Sequence, residues 1–386
     1  MAAAFCGWFT AVSPAIAQSW TSASTPWNCW ISVASSADGS KLLVAATNGP
    51  IYISTDSGAS WALASTPAMN WSRVAESADG THMAAAAWNG TIYISTNSGA
   101  MWLPSDAPSN YWTALASSAD GTKLLATAAS YDSFHNPTTP GVVYLSSNSG
   151  VAWTLAKTPN EPWIAAAMSA DGNRLIIANF FGTDSYVSTD SGGTWNPIGP
   201  GGIGMSLASS ADGSKLIAVE RVFFVWLSTN GGLDWIYNNQ LDSLSRASVS
   251  VASSADGNSL VVVAGNGQII TSTNTGSTWQ VTNVFGLKWS SVASSADGSR
   301  LVAVSLDGGV FTYGTETTNP APTLGMAQSG GNLVLWWPYP STGFLLQQNP
   351  DLTTTNWTDV TTAPTVVNQV ILSPPGSNIF YRLKTP

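Results

Sequence analysis

The sequence predicts an all-β protein, and three observations carry that prediction. Charge is scarce: 386 residues hold 12 Lys+Arg against 21 Asp+Glu, a net charge of −9. The polar surface must then be built from Ser, Thr, Asn and Gly, which suits turns and strands and starves helices of their usual formers. The phrase Ser-Ala-Asp-Gly recurs, its aspartate falling at Asp38, Asp79, Asp120, Asp171, Asp212, Asp256 and Asp297. Between copies lie short apolar runs broken by Gly, Asn and Asp.

The steps between those aspartates are 41, 41, 51, 41, 44 and 41 residues, so there are seven units. The first unit shows the plan. "WISVA" (30–34) reads as a strand, "SSADGSK" (35–41) as a turn and "LLVAA" (42–46) as a second strand. "TNGP" (47–50) is a short loop, "IYIST" (51–55) a third strand, "DSGAS" (56–60) a turn and "WALAST" (61–66) a fourth strand. Four short strands in about 40 residues describe one propeller blade. The seventh unit lacks a closing strand after "VFTYG" (310–314), while "WTSASTP" (20–26) mimics "WALASTP" (61–67). Residues 18–25 are therefore expected to supply the outer strand of the last blade. The fold expected is a seven-bladed β-propeller closed by an N-terminal strand, spanning 18–315.

The turn between third and fourth strands, "STDSGASW" (54–61), returns at 95–102, 146–153, 188–195, 228–235 and 272–279. An Asp or Asn there can accept bonds from turn amides, Gly supplies a positive φ, and Trp fills space between strands. The pattern resembles the Asp-box, or BNR, repeat of sialidase-like propellers. The positions are Asp56, Asn97, Asn148, Asp190, Asn230 and Asn274. Asn at four of the six argues for turn acceptors and against a hard cation, which wants several carboxylates.

The flanks differ. Residues 1–17 form an apolar run ending Ala-Ile-Ala, which reads as a secretory signal with Gln18 as the mature start, so a secreted or cell-envelope location is expected. The Thr/Pro-rich segment 316–327 reads as a linker. Residues 328–386 carry short strand-like runs and read as a small C-terminal β-sandwich-like module. It resembles modules of secreted bacterial proteins that end in an aromatic-Arg-Leu phrase, here "YRL" (381–383).

Several function classes recede. The acidic balance disfavours nucleic acid and anionic membrane. No stretch of the mature chain has enough apolar residues to span a bilayer. Cys29 is the one cysteine after residue 17, and no second His or Cys stands at ligand spacing beside His82 or His135, so no disulfide framework, metal or cofactor is expected.

In this plan the first-to-second and third-to-fourth turns share one face. The second-to-third loops and unit connections share the other. The Ser-Ala-Asp-Gly aspartates, Asp56, Asp190, Asp234 and Glu76 fall on the turn face and are read as turn chemistry. Arg174 and Arg300 are read as solvated turn residues. Seven acids remain for the open face: Asp106, Asp132, Glu161, Asp184, Glu220, Asp242 and Asp307. A glycosidase needs two carboxylates at a set separation. The sialidase resemblance further implies an arginine triad, for which Arg73, Arg221 and Arg246 are the candidates. The Arg-Ile-Pro phrase expected before the first Asp-box is missing.

Tryptophans open five first strands (Trp30, Trp71, Trp112, Trp163, Trp289), where packing competes with ligand stacking. Nearby are the non-repeating aromatics Trp27, Trp88, Tyr111, Tyr131, Phe134, Phe180 and Phe181. The insertion "SYDSFHNPTTPG" (130–141) makes the 51-residue step, and long loops on rigid scaffolds carry function. The ligand-binding candidates are Trp88, Tyr111, Tyr131, Asp132, Phe134, His135, Glu220 and Arg221. The reading is a monomeric, non-catalytic propeller that binds a carbohydrate or an extracellular protein on its open face. The alternatives are a glycoside hydrolase of sialidase-like architecture and a scaffold like the propeller assembly factors of photosynthetic membranes.

Overall fold

The computed structural model describes residues 20–26, 28–131, 137–180, 185–198, 206–220, 224–241, 248–283 and 287–314. Beyond these it describes 325–329, 332–336, 345–351, 354, 356–360, 369–372 and 379–384. Among the described residues every regular element is a strand except one 3-10 turn, Asn239–Leu241. The all-β expectation is met.

Each repeat folds as an antiparallel four-stranded group. In the first unit Trp30–Ser35, Leu42–Ala46, Ile51–Ser54 and Ala62–Leu63 pair in sequence order. The second strand of that unit is buried at every residue, and its two neighbours are largely buried too. The group that begins with Trp289–Ser294 ends with the first strand among the described residues. Trp20–Ser22 pairs antiparallel with Val310–Tyr313, with Trp20 opposite Tyr313. The second and third units are further joined into one eight-stranded sheet, because Asn110 and Tyr111 pair with Gly90 and Trp88.

What binds unit to unit is partly main chain. The Ala37 amide donates to the Ala78 carbonyl (2.7 Å), and Ala78 donates to Ala119, Ala119 to Ala170, and Ala170 to Ala211. Ala211 then donates to Ala255, Ala255 to Ala296, and Ala296 back to Ala37 (2.7 Å). These are the alanines of the seven Ser-Ala-Asp-Gly turns, and their bonds form a closed cycle.

The core follows the same cycle. Leu43, Ile51 and Ile53 of the first unit pack on Trp71, Val74 and Met83 of the second. Trp30, Val33 and Val44 pack on Val302, Val304 and Val310, which joins the first unit to the last. Between these, further clusters fill each successive seam. At about 25 cal/mol per Å² of apolar area removed from water, such seams supply most of the drive to close.

The tryptophans that open first strands are packing elements. Trp30, Trp71, Trp112, Trp163 and Trp289 are 0–1% exposed. Each stands against an aromatic of its own third strand at 5.2–5.9 Å and 75–89°: Tyr52, Tyr93, Tyr144, Tyr186 and Phe311. A β-bulge follows each of these tryptophans, as between Trp30 and Ser32, and swings the indole into the seam. They are therefore not available for stacking on a ligand.

The C-terminal segment forms two three-stranded sheets, one of Gly325–Ser329, Asn332–Trp336 and Gln369–Leu372, the other of Leu345–Asn349, Thr358–Asp359 and Phe380–Lys384. They share a small core around Leu335 and Leu346. Arg382 of the "YRL" phrase lies 4.2 Å from the Trp357 ring centroid and donates to Gln347 Oε1.

Candidate functional site

The two turn classes lie together, as the sequence plan requires. The turn between third and fourth strands bonds back to the one between first and second, as in Ser57 N to Ser40 O (2.8 Å) and Thr275 N to Asn258 O (2.9 Å). On this face the polar groups serve one another. Asp56 Oδ1 accepts from Ser54 Oγ and Ser60 N, both at 2.8 Å, while Ser54 Oγ accepts from Gly58 N. Asn97, Asn148, Asp190, Asn230 and Asn274 repeat this geometry, each accepting the amide four residues on at 2.8–2.9 Å. The amide bond needs one acceptor oxygen, and the second atom serves either way: Asp190 Oδ2 accepts from Thr194 Oγ1, while Asn274 Nδ2 donates to Thr278 Oγ1, which is why the amide and the carboxylate interchange. Ser57 and Gly58 take φ of 60° and 91° to close it. A Cβ on Gly58 would also stand 2.7 Å from Thr312 of the seventh unit.

The Ser-Ala-Asp-Gly carboxylates are held in the same manner. Asp38 is depressed to about 2, first by the Ser40 amide and then by the Ser36 and Ser40 hydroxyls. Asp79 and Asp212 sit at about 2, led by the hydroxyls of Ser77 and Ser210.

Three turn-face readings are corrected. Arg174 and Arg300 are not merely solvated: Arg174 Nη1 donates to Gly231 O, and Arg300 Nη1 to Asp38 O and Ser57 Oγ of the next unit. Lys41, Lys123 and Lys215 make the same reach, to the carbonyls of Asp79, Asp171 and Asp256. A long cationic stem one residue past each turn lets it lie over the neighbour's glycine, as Lys41 does over Gly80. Glu76 is not turn chemistry either. Both its carboxylate oxygens are buried without a hydrogen-bond partner among the described residues, and burial pushes its pKa well above the usual range.

The open face is irregular. Trp88 and Tyr111, both half-buried, meet edge to face at 5.4 Å across the seam of the fused sheet. Tyr131 ends the strand Leu124–Tyr131 in the same unit, its backbone opposite Pro137. Asp132, Phe134, His135 and Arg221 lie outside the described residues, as do Trp27, Phe181, Asp184, Asp242 and Arg246. Arg73, offered as a sialidase-type arginine, lines the central cavity instead.

Glu220 belongs to an aromatic cluster that the sequence reading missed. Trp226 Nε1 donates to Glu220 Oε1 at 2.6 Å, and burial raises the Glu220 pKa against that bond. Tyr237 stands 5.3 Å from Trp226 and 5.2 Å from Phe224, which is 39% exposed. The signal was there. Trp226 occupies the third-strand position of the repeating tyrosines, in a unit that has Gly204 where five sisters have their first tryptophan.

The described open-face acids are each engaged locally. Asp106 Oδ1 accepts from Trp153 N (3.0 Å), so it caps the next unit's outer strand. Asp307 pairs with Lys288 at 3.7 Å, and Glu161 Oε2 accepts from Asn179 at 3.5 Å. Among the described residues no three His, Cys, Asp or Glu side chains stand together as a metal would need, and no helix is long and apolar enough to cross a membrane.

Four-stranded antiparallel sheets set around a common cavity make this chain a β-propeller. The solved structure "YCF48 from Cyanidioschyzon merolae" shares the fold at a TM-score of 0.59 and 13% identity, over 78% of this chain and 99% of that one. A second, "YCF48 bound to D1 peptide", aligns at 0.58 and 13% identity, over 78% and 97%. No family model matches the chain, and no curated protein matches it. At that identity the likeness carries the fold alone.

Proposed function

We propose that this chain is a seven-bladed Asp-box propeller, closed by its N-terminal strand, that binds a protein partner through its open face without catalysing a reaction. The contrast between its two faces carries the reading. On the turn face, acceptors and donors are consumed by the repeat itself, as around Asp56. On the open face the repeat breaks, and half-buried or exposed aromatics collect at Trp88 with Tyr111 and around Glu220 with Phe224 and Trp226. Aromatic anchors beside polar groups on a rigid scaffold are what interface hot spots use. YCF48, a propeller of the same fold, has a structure bound to D1 peptide, which supports a protein partner. Export through the segment 1–17 belongs to the proposal, as does the small C-terminal β module.

A photo-crosslinking amino acid placed at Tyr111 tests it, with the same group at Ser60 on the turn face as control. One protein captured from Tyr111 and absent from Ser60 is the expected outcome. Equal capture at both positions would remove the face assignment. A glycan array probed with the chain from Gln18 provides the counter-test. Binding lost in Trp88→Ala and Tyr111→Ala would replace the protein partner with a sugar. Glycoside turnover abolished by Glu220→Gln would replace binding with hydrolysis.

A further inference from the structure

The first strands of the seven units turn their inner edges to a shared cavity of about 160 Å³. Edge amides need acceptors, and four units supply one by a repeated device. Ser32 Oγ accepts from Val74 N (3.1 Å), Ser206 Oγ from Val251 N (3.2 Å), Ser250 Oγ from Val292 N and Ser291 Oγ from Val33 N (both 3.3 Å). Each serine serves the amide of the following unit. In the other three units the same position holds Arg73, Ala114 and Ala165.

The amides those three residues would serve are Leu115, Ala166 and Leu207. Their strand registers match those of the served amides: Leu115 lies opposite Ala126 as Val33 lies opposite Val44. Ala166 lies opposite Ile177 and Leu207 opposite Ala218, six residues past the turn aspartate in every case. Among the described residues no side-chain oxygen accepts from these three. They stand in consecutive units, so they form one arc of the cavity wall, and Arg73 begins that arc. Among the described residues no Asp or Glu lines the cavity. Arg73 Nη1 donates to its own neighbour's carbonyl, Ser72 O (2.7 Å), which holds the guanidinium at the wall.

We infer that this arc is a binding site for a small carboxylate. Consecutive backbone amides converging beside a guanidinium form an anion-binding concavity. A carboxylate offers two oxygens that bridge donors on adjacent strands and pair with the planar fork. The site lies in the cavity between the units and is independent of the open-face partner.

Titration of the full chain with acetate at constant ionic strength, against chloride, tests it by amide resonances. Leu115, Ala166 and Leu207 should shift together and saturate, while Val74 and Val292 stay in place. The double variant Ala114→Ser, Ala165→Ser leaves the charge unchanged and restores the serine device at two positions. The apparent Kd should rise about tenfold or more in it, and likewise in Arg73→Ser. Shifts spread equally over served and unserved amides would overturn the inference, as would an unchanged Kd in the double variant. Should that variant fail to fold, the wild-type pattern of shifts decides alone.

Discussion

The amide of Ala296 donates to the carbonyl of Ala37 at 2.7 Å, joining residues 259 positions apart in the chain. This bond completes the cycle begun at Ala37, and the outer edge beside it is sealed by Trp20 against Tyr313. Trp20 also lies 5.4 Å from the Tyr313 ring and 6.4 Å from Trp289. Trp20→Ala should therefore lower stability by about 2 kcal/mol, as a half-buried indole is lost from a seam. Removal of residues 1–22 should expose the edge of Val310–Tyr313 and promote self-association. Chemical denaturation and light scattering read the two effects, and an unchanged midpoint in Trp20→Ala would show that the latch contributes nothing.

The cationic reach between units makes a constructive prediction. Lys41, Lys123, Arg174, Lys215 and Arg300 span to the next turn, while the sixth unit has Ser259 at that position. Ser259→Lys should place an ammonium on the Asp297 carbonyl and stabilise by about 0.5–1 kcal/mol, with Lys123→Ala costing about 1 kcal/mol. Urea midpoints of the two variants should move in opposite directions. Equal and negligible shifts would mean that solvent screening cancels the reach.

Glu76 stands where five sister units have Ser35, Ser117, Ser209, Ser253 and Ser294, each donating to the next residue's carbonyl. Its carboxylate has no hydrogen-bond partner among the described residues, and its folded pKa is raised by burial, which outweighs the nearby charge of Lys41. A raised pKa means stability present below the unfolded value near 4.5 and lost as pH climbs toward the folded value. Glu76→Ser should thus stabilise by about 2 kcal/mol at pH 7 and by little at pH 4. A benefit independent of pH would point to packing rather than charge.

The turn aspartates impose the opposite slope. Asp38, Asp79 and Asp212 lie at about 2 against an ordinary 3.8, and Asp56, Asp120, Asp171, Asp256 and Asp297 are shifted the same way. Depressed carboxylates stabilise fully above about pH 4 and lose that contribution as pH falls toward 2. Hydrogen bonds to hydroxyls and amides cause most of the shift, so added salt should barely move this acid limb. A limb that collapses in 0.5 M salt, followed by circular dichroism, would assign it to ion pairs instead.

Asp56 should tolerate Asn and not Ala. Asn274 shows the replacement at work, its Oδ1 accepting from Thr278 N and its Nδ2 donating to Thr278 Oγ1. Asp56→Asn should stay within about 0.5 kcal/mol of wild type and Asp56→Ala should lose about 1 kcal/mol. Comparable losses in both would mean that the charge itself matters to the turn.

Much of this was legible because the repeat prints its turns seven times over. The strands, the turn acceptors and the borrowed strand at Trp20 all follow from spacing and residue type. The alanine cycle was not legible, since a main-chain bond between distant units leaves no side-chain mark. Nor could the sequence reveal that Arg300 lies along a neighbour's glycine, because a cation after a turn reads equally well as solvated. The candidate site was legible only where it departs from the repeat. Trp88 and Tyr111 were found that way, whereas Trp226 was overlooked because one aromatic had replaced another.

The cycle of alanine bonds has one further consequence. Seven peptide units bonded in line along a helix would leave free donors at one end, free acceptors at the other, and a dipole between. Bent into a circle, the same bonds have no terminus. Each unit's amide dipole is offset by those across the ring, and the tangential sum vanishes. The ring of alanine bonds thus adds no net dipole along its own circumference, and any preference for charge in the cavity must come from Arg73 and from the amides of the strands that line it.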